Sequence, residues 1–421
     1  MECRPALAGE PSNGEDESHG PWLRDVIGDV IGNDRACRPR CTLRRSPAVC
    51  STSDLRRARR QRVLQIHHPR GWIVISTRIR PPNRLTMSMR AAVLTMPRRA
   101  SDRPLEIVDV PDPEVGPGDV LIEVIACAVC RTDLQLCEGD LPAQILPVIP
   151  GHQIVGTVGA RGDEVADVEV GDRVGVAWIA STCGGCRFCV SGRENLCDHS
   201  RFTGWHHNGG FAERVVARSE FVYALPDTLD AVGAAPLLCG GAIGLRSLRL
   251  SGIQPGGRLG LYGFGASATC AIQIARHWDC EVSVVTRSPT EQRRAIGLGA
   301  AWVGSYDDHP PTPLDAAITF APVGSAVVAA LKALDKGGVV AINAIHLDHI
   351  PQFDYDHLWW ERQLRSVANV TRTDVADLIQ LATSIPIRTR IEEFALTQSN
   401  EALQALSSGR LSGTAVLRIG G

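Results

Sequence analysis

From Met89 to about Cys239 the apolar residues come in short β-type runs, AAVLTM, DVLIEVIACAV, QIVGTVGA and DRVGVAW, parted by Gly, Pro and Asp turns. This rhythm predicts an antiparallel, barrel-like domain over 89–240. Beyond Gly240 the rhythm changes. Apolar strands RLGLYGFG, EVSVVTRS, LDAAITFA and GVVAINAI now alternate with helical stretches such as SATCAIQIARHW and SAVVAALKAL. Strand–helix alternation lays successive strands side by side in one direction, so 241–370 is expected to form a doubly wound parallel sheet. The remaining 371–421 hold two helix candidates, VADLIQLAT and TQSNEALQALSSG, and a strand, TAVLRIG. We expect them to return to and complete the first domain, giving an α/β protein of two folded parts.

Residues 1–88 show neither rhythm and are read as a disordered or non-native N-terminal extension, with Met87 and Met89 placed where strand-like sequence begins. Charge separates the two parts: 1–86 hold 16 Arg against 9 Asp and Glu, whereas the rest of the chain is net acidic. The run LRRARRQR (55–62) has no aromatic interleaving and no folded reader motif beside it, which argues against a nucleic-acid partner. The first twenty residues lack a positive start and an apolar middle, and no stretch approaches the roughly 18 apolar residues of a membrane span. A cytoplasmic protein without a membrane partner is therefore expected, and its 14 cysteines point to metal ligands or buried thiols before disulfides.

Cys183, Cys186, Cys189 and Cys197 form C-x2-C-x2-C-x7-C within STCGGCRFCVSGRENLC. Four thiolates at this spacing can wrap a tetrahedral zinc ion, and with every position taken by sulfur such a zinc is structural. A second signal is the strand–glycine turn–helix RLGLYGFGASATCAIQIARHW. Gly263 allows the tight turn, Gly265 lets a pyrophosphate approach the backbone, and Ala268 permits close helix packing. At the end of the next strand, where a carboxylate would bind the 2′-hydroxyl of NAD, the chain offers Thr286, Arg287 and Ser288. Arg287 can pair with a 2′-phosphate, which favours NADP(H) over NAD(H).

Cys130, His152 and Cys239 would mean little alone, because a solitary cysteine in an apolar run is commonly a small buried hydrophobe. Their surroundings change the reading. The segments CRTD (130–133), GHQ (151–153), the four-cysteine lobe, PLLCGG (236–241) and GFGASA (263–268) occur in the order and approximate spacing of the zinc-containing medium-chain dehydrogenases. The chain resembles that superfamily over about 89–421, above all the bacterial zinc-binding alcohol dehydrogenases. The resemblance implies a GroES-like catalytic domain beside a Rossmann-type cofactor domain. It also implies two zinc ions per chain, the second on Cys130, His152 and Cys239 as the catalytic metal, and a homo-oligomer. By the same resemblance Asp133 orients the histidine ligand, Thr132 contacts the substrate oxygen, Arg131 meets the cofactor pyrophosphate, and Trp178 belongs to the region lining the substrate pocket.

The implied reaction is hydride transfer between NADP(H) and a small alcohol or aldehyde. Two departures bear on it. Gln153 stands where a glutamate usually follows the zinc histidine, and Gln135 where a relay histidine is usual. Neither amide titrates, and loss of an acid–base partner typically slows turnover about 10²- to 10⁴-fold. Two rival readings follow: a zinc-free quinone or enone reductase of the same superfamily, and a non-catalytic dinucleotide-binding protein with structural zinc alone. His206 and His207, in the turn GWHHNGG, are not expected to bind metal, and Cys127, Cys137, Cys270 and Cys280 are expected to be structural thiols.

Overall fold

The computed structural model describes residues 61–68, 71–78, 88–344 and 347–420. Most of the 1–88 extension therefore lies outside the described residues. Within it, β1 (Gln61–His68) and β2 (Gly71–Arg78) pair antiparallel, Val63 opposite Ser76. No regular element was expected there. The reason is the run GWIVIST, whose β-branched residues favour extended backbone whatever the composition around them.

The barrel part follows in chain order as β3 (Ser88–Leu94), β4 (Leu105–Pro111), β5 (Asp119–Ala128), α1 (Arg131–Glu138), β6 (Gln153–Arg161), β7 (Arg173–Val176) and β8 (Ile179–Ser181). It continues with α2 (Arg187–Val190), β9 (Arg201–Phe202), β10 (Arg214–Arg218), β11 (Val222–Ala224), α3 (Ala231–Ala234) and α4 (Gly240–Ser251). The alternation in β5 buries Val120, Ile122, Val124 and Ala126, as a half-buried strand requires. Its sheet runs β11-β7-β6-β5, with β10 also on β5.

The parallel sheet comprises β12 (Arg258–Tyr262), β13 (Glu281–Val285), β14 (Trp302–Gly304), β15 (Leu314–Thr319), β16 (Leu334–Ile342) and β17 (Gln363–Ser366). Helices α5 (Ala266–His277), α6 (Pro289–Gly297) and α7 (Gly324–Lys332) connect its strands. The spatial order is β14-β13-β12-β15-β16-β17, every pair parallel, so the order reverses between β12 and β15. Crevices at such reversals, outside the carboxyl ends of the strands, are where ligands bind in doubly wound sheets. Helices α4 and α5 cover one face and α7 the other, which is why β12, β13 and β15 read as continuous apolar runs. The chain then returns through α8 (Arg372–Ser384), β18 (Ile391–Ala395), α9 (Ser399–Ser407) and β19 (Thr414–Arg418), and β19 pairs antiparallel with β5. One apolar core continues from Ala126, Val155 and Val416 through Leu237 and Leu238 into α4, α5 and β12. Among the described residues no single helix is long and apolar enough to cross a membrane.

The helices at the two ends of the parallel-sheet segment are tied by charge. Asp374, buried in the first turn of α8, accepts from Arg246 and Arg249 of α4 at 2.7 Å each and completes a capping box with Thr371. Burial opposes charge on Asp374, but the Thr371 amide and hydroxyl and the two guanidinium groups overcome it and hold its pKa below the ordinary carboxylate value. A depressed acid stabilises the fold above its unfolded pKa of about 3.9, and that contribution is lost as pH falls through the folded value. Asp374→Asn is thus expected to cost about 3 kcal/mol near neutrality, because it leaves Arg246 without its buried partner. The deficit should shrink as urea-denaturation midpoints of the two proteins are compared at progressively acid pH. A deficit independent of pH would refute the assignment.

Candidate metal and dinucleotide sites

The strand β5 ends at Ala128, and α1 begins three residues later with Cys130 as its N-cap. Asp133, the third residue of the helix, turns its carboxylate back into the barrel, where it is almost wholly buried. Oδ2 accepts from the Cys130 amide at 2.9 Å; Oδ1 accepts from the Gly151 amide at 3.1 Å and lies 3.2 Å from His152 Nδ1. Gly151 has φ 97°, and a Cβ there would meet the Phe211 ring at 2.5 Å, so only glycine lets the chain turn this tightly beside His152. With Nδ1 engaged by Asp133, Nε2 is the free nitrogen, and it faces Cys130 Sγ at 3.3 Å.

Cys239 completes the set. It stands between the 3-10 turn Ala235–Leu238 and α4, and its sulfur lies within 4.8 Å of the Cys130 and His152 ligand atoms. The next residue, Gly240, packs on the start of α5, where an added Cβ would lie 3.9 Å from the Ser267 amide nitrogen. The metal-capable set and the dinucleotide turn thus meet at the mouths of two packed helices. Cys239 draws the Cys130 thiol well below its ordinary pKa and, against burial, His152 adds to the effect. Burial opposes charge on His152, yet Cys130 and Asp133 raise its pKa to about 10. Burial raises the Asp133 pKa, and a divalent cation held by Cys130, His152 and Cys239 would balance the charge of this buried cluster with release of protons. Two sulfurs and one nitrogen are a donor set for zinc that leaves a fourth position open. A cavity of about 860 Å³ elsewhere on the barrel, bordered by Met89, Val148 and Phe221, includes none of these ligands, so volume alone does not find the site.

Cys183, Cys186, Cys189 and Cys197 are all free thiols gathered at one point, with Sγ separations of 3.5 Å (Cys186 to Cys189 and Cys197 to Cys183) and 3.9 Å (Cys183 to Cys189). An ion about 2.3 Å from each of four sulfurs would hold them about 3.8 Å apart, so the lobe fits zinc without rearrangement. The Cys186 and Gly185 amides pull the Cys183 pKa down to about 6, favouring the thiolate. The lobe is also fastened to a distant part of the chain: buried Glu194 accepts from the Arg372 amide at 2.9 Å, and Asn195 donates to the Ala368 carbonyl. His206 and His207 belong to neither group, and Cys127, Cys137, Cys270 and Cys280 are buried free thiols.

The dinucleotide turn has the geometry its glycines suggest. Gly263 has φ 88°, and a Cβ there would strike the Ala321 amide nitrogen at 2.8 Å. At Gly265 an added Cβ meets nothing within 4 Å, so the backbone is open on the side a pyrophosphate would use. Ala268 is wholly buried. The three residues after β13 divide their tasks. The Thr286 hydroxyl donates to Glu291 at 2.7 Å, and Ser288 caps α6 by accepting from the Glu291 amide. Only Arg287 stays exposed, with its guanidinium 5.7 Å from the centroid of Tyr306. Arg131 is exposed at the start of α1 and Thr132 half-buried beside Cys130, its amide 3.3 Å from that sulfur. Gln153 is buried and donates to the Ala128 carbonyl. Two residues not singled out from the sequence lie here. Glu291 brings a carboxylate to the end of β13, and Arg294 donates to the Phe264 carbonyl inside the glycine turn and to Thr269. In an Arg-rich chain no sequence cue sets Arg294 apart.

Residues 116–227 match the alcohol dehydrogenase GroES-like domain family. Over 340 residues the chain is 46% identical to a probable alcohol dehydrogenase, AdhA, of Mycobacterium tuberculosis, covering 79% of this chain and 98% of that protein. It is 33% identical, over 79% and 99% of the two chains, to an alcohol dehydrogenase of Geobacillus stearothermophilus. Among solved structures, a cobalt- and zinc-bound thermostable alcohol dehydrogenase of Pyrobaculum aerophilum superposes with TM-score 0.72 at 26% identity, over 79% of this chain and all of that one.

The two glycines should separate folding from binding. Gly265→Ala is expected to leave the thermal midpoint unchanged and to weaken binding of reduced dinucleotide about tenfold or more, read by quenching of tryptophan fluorescence. Gly263→Ala should lower the midpoint itself. Unaltered dinucleotide affinity in Gly265→Ala would exclude this turn as the phosphate site.

Proposed function

The chain belongs to the zinc-containing medium-chain dehydrogenase/reductase superfamily as an alcohol dehydrogenase, an oxidoreductase of CH–OH groups. From that premise we propose that it interconverts small alcohols and aldehydes using NADP(H) and two zinc ions, one on Cys130, His152 and Cys239 and one on the four-cysteine lobe. The observation that carries this reading is the meeting of the Cys130, His152 and Cys239 ligand atoms within 4.8 Å beside the start of α5, whose turn holds Gly263 and Gly265. Bound there, zinc supplies Lewis-acid polarisation of an alcohol or carbonyl oxygen, and the nicotinamide supplies or takes the hydride.

The protein's part is orientation and proton handling. Asp133 fixes the His152 ring through Nδ1 and raises its basicity as a ligand. The Thr132 hydroxyl, one helical residue beyond Arg131, would accept the alcohol's hydrogen bond and relay its proton towards water. Gln135 and Gln153 cannot share that task, so turnover is slow for this chemistry, and Gln135→His combined with Gln153→Glu should raise aldehyde reduction. The domains we assign are the catalytic part, 89–240 with 371–421, and the dinucleotide-binding part, 241–370, in a homo-oligomer.

Arg287, exposed and poised beside Tyr306, supports NADP(H) by pairing with a 2′-phosphate. One observation favours NAD(H) instead: Glu291 places a carboxylate next to Thr286, where it could accept from a ribose hydroxyl. The two are separated by Arg287→Ala. On the NADP(H) reading the dissociation constant for NADPH rises at least tenfold and that for NADH changes little; equal changes, or tighter NADH binding throughout, would overturn the preference.

Elemental analysis of the purified chain should give about two zinc atoms. Cys239→Ser is expected to lose one of them together with aldehyde reduction while the fold persists. Cys183→Ser should lose the other and lower the thermal midpoint. A single zinc that Cys239→Ser leaves in place would reject the catalytic-metal assignment and with it the zinc-dependent mechanism.

A further inference from the structure

Strand β3 is fastened to the barrel at two bridges, Leu94 opposite Val148 and Ala91 opposite Ala212. Side chains beside these bridges border a hollow of about 860 Å³, within the size of small-molecule sites, which run to about 1,000 Å³. None of Cys130, His152, Cys239 and Trp178 lines it, so it is separate from the candidate metal site. Its floor is apolar: Met89 and Val93 of β3, Val148 and Ile149 ahead of β6, Val176 of β7, and Phe221.

The rim carries charge. Arg214 and Arg218 of β10 line it, and each is answered by an acid, with Asp112 2.8 Å from Arg214 and Glu220 3.9 Å from Arg218. Arg201 of β9 lines it too, and among the described residues no carboxylate comes within ion-pair distance of its guanidinium. The neighbouring imidazole registers that charge: burial and Arg201 hold His207 below its ordinary pKa, and the opposing pull of Asp119, the other carboxylate on the rim, does not cancel them. The buried Nε of Arg214 likewise meets no acceptor among the described residues. An apolar floor stabilises a chain of methylenes in proportion to the area it removes from water, and an unanswered guanidinium at the edge favours a carboxylate at the end of that chain. A neutral chain would leave Arg201 as it is, and a cationic one would be repelled by it.

We propose that this hollow is a second ligand site, which takes an unbranched aliphatic carboxylate with its chain on the β3 floor and its acid group at Arg201. The inference does not depend on the dehydrogenase reading.

The test is calorimetric titration of the full chain with octanoate, hexanoate and octanamide. Octanoate is expected to bind once per chain, about tenfold more tightly than hexanoate, which buries a shorter chain, or octanamide, which lacks the charge. Arg201→Ala should erase the preference for octanoate over octanamide, with thermal midpoint and zinc content unchanged. Ala217→Trp, which fills the hollow from β10, should weaken binding of both, and Ala180→Trp serves if Ala217→Trp fails to fold. Cys239→Ser separates the hollow from the metal site, because octanoate affinity should survive the loss of that zinc. The proposal is overturned if octanoate does not bind, if its preference persists in Arg201→Ala, if its affinity is intact in the filled variant, or if binding disappears in Cys239→Ser.

Discussion

Among the described residues no Lys or Arg side chain bonds to the buried carboxylate of Asp133, and three partners converge on it: the Cys130 amide, the Gly151 amide and the His152 ring. A buried acceptor with this many partners is costly to disturb, since removing any one donor leaves the others desolvated around an uncompensated charge. Three separate pieces of backbone are pinned at a single point as a result: the start of α1, the turn at Gly151, and the imidazole that opens β6. The positions of Cys130 and His152 therefore rest on the barrel's hydrogen bonding.

What Asp133 does for the barrel, Cys239 and Gly240 do for the link to the parallel sheet. The apolar core runs without interruption from β5 and β6 through Leu237 and Leu238 into α4 and α5. Between these packed layers the chain has little freedom, and the sulfur of Cys239 arrives at Cys130 and His152 because Gly240 and Gly244 let α4 lie close on α5. The Cys130, His152 and Cys239 ligand atoms and the glycine turn thus sit where two kinds of sheet share one core.

Much of this was legible in the residues. Strands β5, β6, β12, β13 and β15, helices α5, α7, α8 and α9, the four-cysteine lobe and the glycine turn all follow from strong periodicity or rigid spacing. The Cys130, His152 and Cys239 grouping was legible only through resemblance, because over a hundred residues separate Cys239 from Cys130 and no local rule links the three. Helix α6 escaped the periodic reading for a physical reason: PTEQRRAIG buries only Ala295, and it is held by its Ser288 cap, Pro289 and Glu291 in the first turn. With α6 missed, Glu291 and Arg294 could not be placed. The missing carboxylate at the end of β13 was read correctly in sequence, but the fold restores one from the following helix. The hollow beside Arg201 was likewise hidden, since β8 and β9 are only three and two residues long.

The clasp of Asp374 with Arg246 and Arg249 has a mechanical meaning. The chain leaves for the parallel sheet along α4 and comes back along α8, and the clasp holds these two connections side by side, with Glu194 and Arg372 fastening the return to the cysteine lobe. A body suspended from two adjacent strands of chain can turn about the line joining them without stretching either, as a door turns on a pair of hinges set in one post. Where the barrel and the parallel sheet shift against each other, the pivot would lie at the buried Asp374.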